Sequence, residues 1–111
     1  MSKLYLVKYD GNYADEFDVY FHQVMTQEEL DEAKNLITRV DWNEECFYFG
    51  TNEEIYVWSS ELLEALNDAV EITPEQNKVL VDLGVADIGF GDGLNWNHIL
   101  DRAYDQLEDN A

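Results

Sequence analysis

The chain has 111 residues, 46% hydrophobic and 14% aromatic, with 25 acidic residues against 6 basic ones and a formal net charge of −19. So apolar a chain is not disordered, and its length suits one domain over 1–111, with its own core and a short C-terminal tail that frays. The charge disfavours nucleic acid and anionic lipid as direct partners, because both repel it.

Leu4 to Tyr9 alternates as a strand, and Asp10-Gly11-Asn12 begins a loop over 10–16 whose Asp-Gly chemistry tolerates positive φ. A second strand follows, with Phe17, Val19, Phe21, Gln23 and Met25 on one face; the two pair antiparallel. Thr26-Gln27-Glu28-Glu29 is a capping box, and Leu30, Ala33, Leu36, Ile37 and Val40 continue at helical spacing, which predicts a helix from Gln27 to Val40.

The aromatic runs 46–49 and 55–58 flank Gly50-Thr51-Asn52-Glu53-Glu54 and predict the hairpin around which the sheet is organised. Its odd positions, Phe47, Phe49, Ile55 and Val57, are expected to face the core. Ser59 or Ser60 caps a helix that turns Leu62, Leu63, Leu66, Ala69 and Val70 inward. Thr73-Pro74-Glu75-Gln76 starts another, with Val79, Leu80 and Leu83 on its buried side and Gly84 as its left-handed stop. Residues 85–93, rich in glycine, read as a loop. Asn95 caps a last helix whose Trp96, Ile99, Leu100, Ala103 and Leu107 share a face.

These elements predict an α+β fold: an antiparallel sheet of about four strands with three to four helices packed mainly on one face. The sheet's open side, with Tyr5, Tyr20, Tyr48 and Tyr56, is expected to be solvated or to hold a partner. Cys46 is the sole cysteine, so there is neither a disulfide framework nor a cysteine-rich zinc site. No signal-type apolar segment or membrane-length run is present, and a cytoplasmic location is expected.

Chemistry-bearing motifs are sparse. No nucleophile-and-base pattern accompanies His22 and His98, which predicts no catalytic residue, no metal and no cofactor. The acids of 10–18 and of 87–92 lack EF-hand spacing, and the glycines lack phosphate-loop spacing. Carboxylates are different. Glu61, Glu64, Asp68 and Glu71 recur at steps of three, four and three on one predicted helix over 60–71, which lines them along one stripe. Asp101, Asp105 and Glu108 repeat the pattern on the last helix, and Glu28, Glu29, Asp31 and Glu32 crowd the first. Trp42, in a polar turn, is the expected exposed anchor, because tryptophan is enriched at interface hot spots.

Lys8 to Val19 followed by Val24-Met25-Thr26, together with Phe47 to Glu53, resembles stretches of small uncharacterised proteins of tailed bacteriophages. In size and charge the whole chain is similar, by type and not by motif, to phage DNA-mimic inhibitors of the antirestriction and anti-CRISPR kind. That likeness implies a cytoplasmic, non-enzymatic inhibitor whose carboxylates occupy the nucleic-acid-binding surface of a basic host protein, but it transfers no residue. The helical stripes themselves put Glu61, Glu64, Asp68 and Glu71 first as contacts, then Asp101 and Asp105, and the polar turn offers Trp42 as anchor. Two other readings share the composition: an immunity or antitoxin-like partner of a basic toxin, and a small metal-dependent enzyme.

Overall fold

The computed structural model describes residues 3–13, 17–48, 53–90 and 94–109, with the backbone alone at 12, 13, 17, 18 and 109. The predicted inward placement of Phe17 and Phe49, the turn at 50–52 and the end of the tail lie outside the described residues. Strands β1 (Leu4–Tyr13) and β2 (Phe17–Thr26) form one long antiparallel hairpin, with Val7 opposite Gln23 and Tyr9 opposite Phe21. Alternation sends Val7, Tyr9, Val19, Phe21 and Met25 to a buried face, as the period of two requires. Tyr9 and Phe21 stack with centroids 4.8 Å apart, and Trp96 meets Phe21 edge-on.

Helix α1 (Gln27–Val40) begins at the predicted capping box: Thr26 accepts from the Glu29 amide, and the Glu29 carboxylate accepts from the Thr26 amide. It buries Leu30, Ala33, Leu36 and Ile37 and packs between α2 (Ser59–Asn67) and α4 (Trp96–Asp109). Leu62 and Leu66 of α2, and Ile99 and Ala103 of α4, complete the core. Asn95 caps α4 by accepting from the His98 amide at 2.8 Å.

The fold is α+β, with four helices and a four-stranded antiparallel sheet beside a two-stranded one among the described residues. The four strands differ from the expected set. β3 (Glu45–Tyr48) and β4 (Glu54–Val57) pair only with each other, while β5 (Val70–Ile72) joins β1 and β6 (Asp87–Ile88) joins β2. The hairpin docks on α4 instead of extending the sheet. Its odd face is inward as expected, with Phe47, Ile55 and Val57 buried, and Phe47 lies against Trp42 and His98. Residues 85–90, predicted as loop, supply β6 through backbone pairing, which hydropathy does not encode.

Helix α3 (Pro74–Asp82) has its predicted capping box and its Gly84 stop at φ 74°, closed by Val85 N–H to Leu80 O and Gly84 N–H to Val81 O. Its predicted inner side is not buried. Val79 is exposed, Leu83 is 70% exposed and Leu80 is half-buried, because α3 links the two edge strands β5 and β6 outside the layer that α1, α2 and α4 form on the other elements' core. No helix among the described residues is long and apolar enough to cross a membrane.

Candidate acidic interface

Strand β5 pairs with β1 only from Leu4 to Leu6, so the following stretch of β1 is flanked by α2. Between them lies a groove of about 240 Å³ lined by Lys8, Tyr9, Asp10, Glu61, Glu64, Ala65 and Asp68. Helical spacing places Glu61, Glu64 and Asp68 on one wall; β1 adds Lys8, Tyr9 and Asp10 to the lining. The Tyr9 hydroxyl donates to Glu61 Oε1 at 3.4 Å. Among the described residues these four carboxylates have no ion-pair partner, although Lys8 stands at the rim. Three helical carboxylates along one groove that Lys8 and Asp10 also line give this edge of the fold a predominantly acidic surface.

Glu71 does not belong to this stripe. α2 ends at Asn67 with Asp68 as its cap, and Glu71 lies in β5 opposite Tyr5, paired with Lys3 at 3.6 Å. The β-branched Val70 and Ile72 favour pairing with the open β1 edge over a further helical turn. Asp101 and Asp105 are exposed on α4. Asp101 faces a different groove, between α1 and α4, opposite Glu29 and Glu32. Glu61, Glu64 and Asp68 therefore line one groove and Glu29, Glu32 and Asp101 another with no lining residue in common, while Asp105 lines neither.

Trp42 is not an exposed anchor; it is 6% exposed. Asp41 caps α1 in the left-handed region at φ 49°, which turns the chain so that the indole enters the core. There Nε1 donates to Gln106 Oε1 at 2.8 Å and the ring meets Phe47 edge-on. The expected serine caps of α2 are also absent: Ser59 is buried inside the first turn, and its hydroxyl accepts from the Trp42 amide. The polar neighbours of Trp42 in sequence gave no sign of that partner.

The tyrosines expected on one open sheet face separate too. Tyr5 turns toward the core and donates to Gln27. Tyr20 is exposed on the opposite face, where His22 bridges the Tyr20 hydroxyl and the Val85 carbonyl; burial first, and the Asp10 charge second, raise its phenol pKa. Tyr48 and Tyr56 are 59% and 44% exposed on the outer face of the separate hairpin.

Among the described residues no three His, Cys, Asp or Glu side chains come together as a metal-ligand set; Asp15, Glu16 and Asp92 lie outside those residues. Sequence reasoning missed the meeting of Asp10 with α2 and of Glu29 and Glu32 with Asp101, since both are contacts between distant segments. No known protein family, curated protein sequence or solved structure matches the chain.

Proposed function

We propose that the protein is a non-enzymatic acidic inhibitor, phage-encoded and acting in a host cytoplasm, that occupies the nucleic-acid-binding surface of a basic protein. The observation that carries this reading is the α2/β1 groove, where Glu61, Glu64 and Asp68 line one wall without ion-pair partners among the described residues. From Glu61 to Asp68 the helix rises about 10 Å at 1.5 Å per residue. A nucleic-acid strand presents about three phosphates over that length, at ~3.4 Å per nucleotide. Lysines and arginines spaced for a phosphate backbone thus meet carboxylates on a comparable scale. The net charge of −19 speeds encounter with such a surface.

Affinity capture from bacterial lysate tests the reading, with the wild-type chain beside a Glu61→Gln, Glu64→Gln, Asp68→Asn variant. The wild type is expected to retain a basic nucleic-acid-binding protein at low salt, to release it as salt rises, and to lose it to added DNA or RNA. Equal recovery by the triple variant, or a complex that nucleic acid does not displace, overturns it; the second result is what an immunity-type partner bound away from the nucleic-acid site would give.

A further inference from the structure

A second groove has an apolar floor. α1 and α4 run side by side in the same direction, so that the groove begins between Glu29 and Asn97 near their N-termini and ends between Arg39 and Glu108. Two adjoining hollows of about 240 and 250 Å³ share Glu32, Leu36 and Tyr104. Together they form a trough about 15 Å long, some three helical turns. Buried Met25 and Leu36 lie beneath it, and the accessible apolar side chains are half-buried Leu100 and Tyr104, which is 55% exposed. Glu29, Glu32 and Asp101 form acidic rims at the N-terminal end. At that same end Gln23 Oε1 is buried with no hydrogen-bond partner among the described residues, while its Nε2 donates to Asn97. A buried acceptor left unpaired is costly, which leaves a local weak point in the packing at this end of the trough.

We infer that this trough binds an amphipathic helix of a protein partner, apolar along one face and flanked by arginine or lysine. Helices dock into such troughs through anchors at i, i+3, i+4 and i+7. Charge selects the occupant. A second copy would set −19 against −19, whereas a basic helix meets Glu29, Glu32 and Asp101. Running antiparallel to α1 and α4, it brings its C-terminal half to those acids, where its own dipole also favours cations. The inference rests on the proposed function only in taking the partner to be basic; its surface is separate from the α2 groove.

Two synthetic peptides of about 16 residues test it by fluorescence anisotropy: one with leucines at helical spacing between lysines and arginines, the other the same composition scrambled. The patterned peptide is expected to bind at least about tenfold more tightly than the scrambled one. Tyr104→Ala, and separately Glu32→Gln with Asp101→Asn, are each expected to weaken it about tenfold, the range of an interface anchor. The Glu61→Gln, Glu64→Gln, Asp68→Asn variant is expected to bind the peptide as the wild type does, which separates this test from that of the proposed function. Equal affinity for both peptides, no effect of Tyr104→Ala, or a trough filled by a second copy in sedimentation overturns the inference.

Discussion

Trp42 and Ser59 hold each other through two hydrogen bonds: the Ser59 hydroxyl accepts from the Trp42 amide at 2.6 Å, and the Ser59 amide donates to the Trp42 carbonyl at 3.0 Å. The pair closes the base of the segment that carries β3 and β4, joining the end of α1 to the start of α2. Ser59→Ala leaves a buried amide unpaired and is expected to cost about 1–3 kcal/mol in urea unfolding. Stability within error of wild type shows the closure to be dispensable.

Arg102 fastens the hairpin to α4. Its guanidinium lies 3.9 Å from the centroid of Phe47, donates to the Cys46 carbonyl and pairs with Glu45 at 3.4 Å. Arg102→Ala is expected to destabilise by about 2 kcal/mol, combining a cation–π contact with a charged hydrogen bond that is partly solvent-screened. Arg102→Lys recovers only part, since an ammonium lacks the planar fork. Equal stability of the lysine and wild-type chains contradicts that division of labour.

The locally encoded features were readable. The capping boxes at Thr26 and Thr73, the stop at Gly84 and the inward odd face of the hairpin all follow from residues a few positions apart. Longer-range choices were not. Helical periodicity ran through Asp68 to Glu71, but the open edge of β1 took Val70–Ile72 as a strand, a competition that hydropathy cannot rank. Of the predicted acidic stripe, Glu61, Glu64 and Asp68 stay together, and only the fold reveals that β1 borders the same groove. Trp42 looked exposed because its neighbours are polar, while its partners, Ser59 and Gln106, are distant in sequence.

Helix α3 shows how pattern and burial separate. Leu83 repeats the helical spacing of Val79, yet both are exposed. Leu83→Ser is therefore expected to change stability by no more than about 0.5 kcal/mol, the range of surface substitutions. A loss of 2–5 kcal/mol, as for a buried leucine, would place Leu83 in a core after all.

On the outer face of the hairpin, Cys46 lies opposite Tyr56 and Tyr48 opposite Glu54. The pKa values of Cys46, Tyr48 and Tyr56 are all raised. Burial, and then the hydrogen bond from its thiol to Glu54, raise the Cys46 pKa; Cys46 and then Glu54 raise that of Tyr48, and Glu54 leads for Tyr56. A raised phenol pKa favours the folded state below the ordinary value near 10, and that contribution is lost as pH climbs through the raised value. Glu54→Gln is expected to move the phenolate absorbance of Tyr56 to lower pH and to speed alkylation of Cys46 at mildly alkaline pH. Unchanged titration and alkylation would mean that Glu54 does not govern this face.

Unpaired carboxylates should also be visible in stability itself. With a formal charge of −19, like-charge repulsion opposes the compact state, and its reach falls from about 30 Å at 0.01 M salt to about 8 Å at 0.15 M. The melting temperature is therefore expected to rise across that interval. Neutralising Glu61, Glu64 and Asp68 takes the charge to −19 + 3 = −16 and removes repulsion within one groove, where each i,i+3 or i,i+4 pair costs about 0.2–0.5 kcal/mol. The triple variant is thus expected to melt higher than wild type at low salt and to lose that advantage at high salt, while failing to capture a basic partner. A variant less stable at every salt concentration would mean that these carboxylates support the fold, and the groove would then have to be explained as architecture.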